Sequence, residues 1–323
     1  MLAPAGRAGA MAPSRPVRKV AITGAAGAVG SACIAGLLSR PSRDGLQLEL
    51  PIRCLDIVPT RYSALTSEPW PDGAVESIVA NISSFDDVAA TLAGMDAVIH
   101  LAGIGHDWEA NLNENLIGTY NLFEAAQQAG VARIATASRA GVTGQPNDGE
   151  GSPYPDDFTK TTSMEYKPVG HYTVSKVFHE AMGYSYAQQY GMGVVCCRIG
   201  NFSRDRDQPT HPHHLGWHDC GEVFTQAITH KLAPVVHAGG KTTHEGKEVR
   251  FYKVFAVSDS TWPMYDLDHG RRVIGYYPQQ KSEVPYVEGV GYAADGGSFT
   301  PEQLKRIAEQ RKAESARARA AKL

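Results

Sequence analysis

Tyr172 and Lys176 stand at the two ends of Tyr-Thr-Val-Ser-Lys, a spacing that sets both side chains on one face of a helix, about one turn apart. A phenol with a pKa near ~10 is a poor base at neutral pH, and a neighbouring ammonium favours the phenolate. Bringing it to ~7 takes roughly 4 kcal/mol, which two cations, the lysine and an oxidised nicotinamide ring, could supply. Tyr172 would then take or return a hydroxyl proton while hydride moves to or from the nicotinamide. The pair alone is weak evidence, because an ordinary amphipathic helix often holds a Tyr and a Lys.

A second group of residues supplies the cofactor side. Lys19 to Gly36 reads as a buried strand, a tight turn and a helix starting near Ala28, with Gly24, Gly27 and Gly30 in the turn. The first glycine permits the turn, the second lets backbone approach a pyrophosphate, and the third brings helix and strand together. A phosphate there meets free N–H groups and the positive end of the helix dipole. The next strand, Leu48 to Val58, carries Asp56 near the offset at which an acid meets the adenosine ribose. An aspartate accepts from both ribose hydroxyls and repels a 2′-phosphate, and Ile57 and Val58 offer no positive charge. The expected cofactor is therefore NAD rather than NADP, with Arg61 a base a little further on.

These residues need a scaffold, and strand and helix patterns alternate as far as Ala137. After Val75–Ala80 and a helix capped by Ser84 come a strand at Asp96–Leu101, a long helix from Trp108 to Ala129 and a strand at Val131–Ala137. The alternation predicts an α/β fold, a doubly wound parallel sheet of Rossmann type with a small C-terminal substrate lobe. Residues 1–16 read as a disordered lead, 17–200 as the NAD-binding domain with its catalytic helix, 201–290 as the lobe, and 291–323 as a tail with a terminal helix from Thr300. A polar loop from Gly144 to Gly170 precedes the helix His171–Tyr190 and the strand Gly193–Ile199. Arg250–Val257 and Val235–His237 read as strands of the lobe.

Composition narrows the partners. The chain of 323 residues has 31 basic and 34 acidic side chains, a net charge of −3, which argues against nucleic acid and membrane surfaces. No apolar run approaches the ~18 residues of a membrane span. Five cysteines without a Cys-x-x-Cys pair read as reduced core residues, so a cytoplasmic protein with a small-molecule substrate is expected. His211, His213, His214, His218 and Cys220 lack zinc-site spacing, and no metal is expected. Apolar stripes on Trp108–Ala129 and His171–Tyr190 suggest a homodimer built on those two helices.

Taken jointly, Thr23-Gly-Ala-Ala-Gly-Ala-Val-Gly30, Asp56, His100-Leu-Ala-Gly103, Asn115-Leu-Ile-Gly-Thr-Tyr-Asn121 and Tyr172-x-x-x-Lys176 resemble the extended short-chain dehydrogenases/reductases, the NAD-dependent epimerase/dehydratase family, over about residues 17 to 285. Arg198-Ile-Gly-Asn-Phe202, Leu215-Gly-Trp217, Trp262-Pro-Met-Tyr265 and Gly270-Arg-Arg-Val-Ile-Gly275 look most like the uronate dehydrogenases within it. The resemblance implies NAD-linked hydride transfer at a secondary or anomeric hydroxyl of a sugar-like or polyol substrate. It implies catalytic roles for Tyr172, Lys176, Ser138 and Asn115. Cofactor contacts would come from Gly24, Ala26, Gly27, Ala28, Val29, Gly30, Asp56, Ile57, Asn81, Ile82, Leu101, Ala102, Gly103, Asn115, Tyr172, Lys176 and Ile199.

The chain departs from the pattern where substrate would bind. The family's Ser or Thr after the fifth strand falls on Ser138 when counted from the strand, and on Arg139 when counted back from Gly144. A hydroxyl there orients the substrate oxygen, whereas an arginine binds an anion. Gly105 stands where the uronate enzymes have a serine, and Pro212 or His213 where they have a carboxylate-binding arginine. Gly105, Arg139, Asn201 and His213 are thus the candidate substrate residues. A redox-neutral epimerase and a non-catalytic NAD-sensing module are the alternatives, the latter disfavoured by the presence of both Tyr172 and Lys176.

Overall fold

The computed structural model describes residues 16–105, 107–144, 159–202, 213–236, 243–261 and 264–282, together with two short strands, Tyr286–Val287 and Gly291–Tyr292. The expected N-terminal lead up to residue 15, most of the 144–170 loop and the expected terminal helix lie outside the described residues.

Seven strands form the central sheet: β1 (Val20–Thr23), β2 (Ile52–Asp56), β3 (Val75–Val79), β4 (Ala97–His100), β5 (Arg133–Arg139), β6 (Gly193–Ile199) and β7 (Arg250–Ala256). Their order is β7-β6-β5-β4-β1-β2-β3 and every neighbouring pair is parallel. The chain moves outward in one direction from β1, returns, and moves outward in the other, so the sheet changes direction between β1 and β4. Ligands of such sheets bind outside the carboxyl ends of the strands at that point. β2 is shorter than the expected Leu48–Val58 strand, because Pro51 has no N–H to give the ladder.

Alternation along the strands builds two cores, one on each face. Val20, Ile22, Ala135, Ala137, Val195 and Cys197 pack with α1 (Ala28–Ser39) and with a helix at Trp217–Thr229. Ala21, Val98, Ile134, Val194 and Cys196 pack against the other layer of helices. That layer is α2 (Phe85–Leu92), α3 and α4 (Gly170–Tyr190). Helix α3 starts at Trp108–Ala110, passes through a π-helical stretch at Asn111–Ile117 and continues as Gly118–Ala129. The Trp217–Thr229 helix is α5, and Leu267–Ile274 is α6, opened by the Asp266 carboxylate accepting from His269 N–H at 3.0 Å.

Two expectations for the C-terminal third need correction. Arg250–Ala256 is not a strand of a separate lobe: all seven residues pair in parallel with β6, extending the central sheet. Residues 231–236 form no strand, and His237 lies outside the described residues. Helix α5 likewise covers the sheet, crossing α1 where a Cβ on Gly36 would come within 2.8 Å of Gly221. What remains beside the sheet is a set of short pairings, Asn201–Phe202 with His214–Leu215 and Asp259–Ser260 with Lys281–Ser282. Asp219, fully buried, ties them to α5 by accepting from Ser258 Oγ at 2.7 Å and from the Gln279 and Gln280 N–H groups at 2.7 and 3.0 Å.

One buried ion pair fastens α4 to the sheet. Arg198 of β6 donates from Nε and Nη2 to the two oxygens of Glu180, each at 2.8 Å, and both side chains are fully buried. Ser138 Oγ at 2.6 Å and the Tyr166 hydroxyl at 2.7 Å complete the carboxylate's partners. Burial alone would raise the Glu180 pKa, but these donors and the guanidinium charge bring it below the usual carboxylate value.

Candidate active site

The glycine turn joins β1 to α1 and fits a dinucleotide phosphate. Gly24 has φ +70°, and a Cβ there would lie 2.6 Å from Ala102 N, so strand β4's exit closes over it. A Cβ on Gly30 would lie 2.4 Å from the Ala25 carbonyl oxygen, which lets the helix sit against the turn. Gly27 differs: an added Cβ would meet only Gly24 O, at an ordinary 3.5 Å. The protein's own packing does not require glycine at this position, where the turn leads into Ala28 and Val29 of α1. No side chain caps α1 and no acid stands in its first turn, so its N–H groups are available to an anion.

Asp56 closes β2 against the same turn. Its Oδ2 accepts from Ala26 N–H at 2.9 Å and its Oδ1 from Val58 N–H at 3.4 Å. Ile57 and Val58 are exposed beside it, leaving an uncharged apolar surface at the edge of the turn. Asn81 and Ile82 lie where β3 ends against α3: Asn81 Nδ2 donates to Glu114 at 3.0 Å, and Ile82 packs on Gly118. Leu101 and Ala102 follow β4, donating to Thr23 O at 3.0 Å and to Thr23 Oγ1 at 3.4 Å. Ile199, half-buried, closes β6.

Asn115 is the junction of three elements. Its Oδ1 accepts from Ile104 N–H at 2.7 Å, and its Nδ2 donates to Ile104 O at 3.0 Å and to Ser175 Oγ at 2.9 Å. Asn111 Nδ2 also donates to Ile104 O, at 2.9 Å. Both asparagines belong to the π-helical stretch, whose wider turn carries them toward the loop after β4; such bulges recur at functional sites. A Cβ on Gly103 would lie 2.8 Å from Asn115 Oδ1 and 3.3 Å from Lys176 Nζ. Gly103, Asn115 and Lys176 therefore converge.

Lys176 Nζ lies 5.5 Å from the centre of the Tyr172 ring, so the expected pair does share a face of α4. Arg139, at the end of β5, lies over the same ring with Cζ at 5.9 Å and donates from Nη1 to Thr173 Oγ1 at 3.3 Å. Ser138 is turned elsewhere: its hydroxyl is held by Glu180, two helical turns beyond Tyr172. The structure thus brings Arg139, and not Ser138, to the tyrosine. Gly105 is also there, since its nearest neighbour to an added Cβ is Tyr172 Cδ2 at 4.0 Å.

The electrostatics differ from the simple picture of a charged lysine lowering the tyrosine. Burial brings Lys176 down to about 7, and burial raises the Tyr172 phenol, with Arg139 the charge that pulls it back down. Beneath Lys176 lies a polar floor that the sequence reading did not find. His100 Nδ1 pairs with Thr23 Oγ1 at 2.8 Å and its Nε2 with Thr119 Oγ1 at 3.0 Å. Thr119 Oγ1 also meets His179 Nε2 at 2.8 Å, and the two imidazoles stack at 5.2 Å. Burial and the lysine's charge hold both imidazoles neutral, His100 at about 3 and His179 well below the ordinary value. Their positions, seven and eight residues after Tyr172 for His179 and Glu180, are the signal that could have flagged that face of α4.

The remaining candidates lie on the β6 side. Asn201 N–H donates to His213 O at 2.6 Å while its side chain is exposed, and the His213 ring pairs with the Tyr265 hydroxyl. His218 is exposed beside Asp219, Cys220 is buried, and His211 and Pro212 lie outside the described residues. Among the described residues no three His, Cys, Asp or Glu side chains gather as a metal site, and no helix is long and apolar enough to cross a membrane.

The buried lysine makes a testable demand on stability. An unfolded-chain lysine titrates near ~10.4, against about 7 in the folded protein. The unfolded chain binds more protons between those values, so stability rises with pH across the window, and the cost of burying the ammonium is fully present below it. Lys176→Met should therefore melt above the wild type near pH ~6, with the difference closing toward pH ~10. Thermal denaturation of nucleotide-stripped protein checks this, and a difference independent of pH would contradict it.

Known proteins place the same scaffold. The chain is 28% identical over 283 residues to the NAD-dependent glucose-6-phosphate dehydrogenase of Haloferax volcanii, covering 84% of this chain and 96% of that protein. It is 26% identical over 270 residues to the uronate dehydrogenase of Pseudomonas putida, covering 83% and 86%. A solved mutated uronate dehydrogenase has the same fold at a TM-score of 0.62 and 23% identity, covering 91% of this chain and 98% of that one. Residues 20–216, more than half of the chain, match the model of the NAD dependent epimerase/dehydratase family, and the chain belongs to that family, with NAD as its cofactor.

Proposed function

We propose that this protein is an NAD-linked oxidoreductase that oxidises, or in reverse forms, a secondary or anomeric hydroxyl of a sugar-like substrate, with Tyr172 as acid/base. The observation that carries it is that Lys176 and Arg139 both approach the Tyr172 ring, at the strand ends that also hold the glycine turn. The relatives named for glucose 6-phosphate and uronate oxidation support a sugar as substrate.

NAD, when bound, supplies the hydride acceptor. Gly24, Gly27 and Gly30 would admit its pyrophosphate, and Asp56 its adenosine ribose. Lys176, close to Gly103, would hold the nicotinamide ribose. Tyr172 must lose its proton to act as base, against the raising effect of burial; Arg139 opposes that effect. Asn115 acts through position, holding Ile104 and Ser175 so that the loop after β4 meets α4 at Lys176. Ser138 supports α4 through Glu180 rather than contacting substrate.

The exposed apolar side chains Trp108, Leu112 and Tyr120 on α3 and Val174 and Tyr184 on α4 support pairing of these helices between two copies of the chain. Sedimentation at micromolar concentration should find a dimer, and a monomer would count against that assembly.

Two substitutions test the chemistry. Tyr172→Phe should abolish NADH production from any accepted sugar and leave NAD affinity nearly unchanged, because only the transferable proton is removed; near-normal turnover would end the proposed mechanism. NAD should bind at least about tenfold more tightly than NADP, and Asp56→Ala should narrow the gap by removing the repulsion of the 2′-phosphate. Calorimetric titration that gives equal affinities for the wild type would refute the Asp56 assignment.

A further inference from the structure

Arg139 has a cation's charge and little to satisfy it. It is half-buried, and its hydrogen bond to Thr173 Oγ1 is a long 3.3 Å. Among the described residues no carboxylate forms an ion pair with it. Glu180, the acid on the same helix one turn beyond Lys176, is already taken by Arg198, Ser138 and Tyr166. A guanidinium carries several N–H donors in a fixed fork, and among the described residues this one gives a single hydrogen bond, to Thr173. Removing a cation from water without a counter-charge is costly, and here a second basic group, Lys176, shares the same ring.

The surroundings say where a counter-charge would go. Arg139 ends β5 at the carboxyl edge of the sheet, beside the ring that would face the reacting hydroxyl. Gly105 leaves that side of Tyr172 uncrowded, with 4.0 Å from an added Cβ to the nearest ring atom. The planar fork fits a group with two terminal oxygens better than a single hydroxyl, because both oxygens can accept in parallel.

We propose that Arg139 is the specificity-determining residue of this site and receives an oxyanion of the substrate, a carboxylate or a phosphate, carried close to the carbon that is oxidised. The inference deepens the dehydrogenase reading and takes its substrate from it. It also accounts for the hydroxyl side chain turned away from Tyr172: the residue at this place recognises charge rather than orienting a neutral oxygen.

The test compares a hexuronate, a hexose 6-phosphate and the neutral hexose as substrates with NAD, for the wild type, Arg139→Gln and Arg139→Lys. Arg139→Gln should raise KM for the anionic substrate by about 10–100-fold, the scale of a charge-assisted bidentate pair, while any fall in kcat from the charge lost beside Tyr172 should be the same for anionic and neutral sugars. KM for the neutral hexose and the Kd of NAD should stay put, and Arg139→Lys should recover part of the loss. Whichever anion the wild type prefers identifies carboxylate or phosphate as the group. Equal rises in KM for anionic and neutral sugars, or an unchanged KM for the anion, would overturn the assignment. Calorimetric titration of the same sugars into the protein–NADH complex separates the two readings. Failure of both anions to bind the wild type sinks the anion site. Arg139-dependent binding without NADH production would keep the anion site and remove the dehydrogenase reading.

Discussion

The Arg198–Glu180 pair fixes the geometry on which the site depends. Two fully buried charges are costly to bring out of water, and such a pair holds only when geometry and extra hydrogen bonds compensate. Here the fork of Arg198 meets both carboxylate oxygens, and Ser138 and Tyr166 supply the remaining donors. The four residues come from β6, α4, β5 and the segment before α4, so one carboxylate sets the axial position of the helix on the sheet. A helix is stiff over a few turns. Fixing Glu180 therefore fixes Lys176 one turn earlier and Tyr172 two turns earlier. A slip of α4 by one residue would bring a different side chain to Gly103 and would strand two buried charges.

The same helix carries the tension between stability and chemistry. Lys176 is held over a floor of threonines and neutral imidazoles that offers hydrogen bonding but no counter-charge. An acid in that floor would stabilise the ammonium and hold its proton permanently. The neutral floor instead leaves Lys176 poised at about 7, where small changes in its surroundings alter its charge. Sites built this way lower the stability of the fold locally to gain a responsive group.

How much of this was legible in the sequence follows from how local each feature is. The glycine turn, Asp56 and the Tyr172–Lys176 face need only a strand, a turn and a helix, each marked by short-range pattern, and all stand where the spacing put them. Arg250–Ala256 is legible as a strand, but its place in the central sheet is not, because it pairs with β6 across some fifty residues of intervening chain, a distance over which periodicity carries no information about partners. The π-helical stretch left no mark either, since its asparagines look like any polar helical face until Ile104 is placed beside them. His179 and Glu180 were visible as helical neighbours of Lys176, but their partners, Thr119, Thr136 and Arg198, come from three other elements.

Ser138 and Arg139 show why adjacent residues in a strand cannot be assigned by counting alone. Thr136 and Ser138 share one face of β5 and meet α4 at His179 and Glu180, in step with the two-residue period. Arg139 has the opposite parity, yet it is the last residue of the strand, and its long side chain comes round the open end to reach Thr173. Burial then decides its consequence. A short hydroxyl at that end would leave Lys176 as the one basic group against the Tyr172 ring among the described residues, whereas the Arg139 guanidinium adds a second positive group with a planar fork of donors. Among the described residues, the phenol, two basic groups and two neutral imidazoles bring no negative charge to the site, and an anionic substrate would supply one.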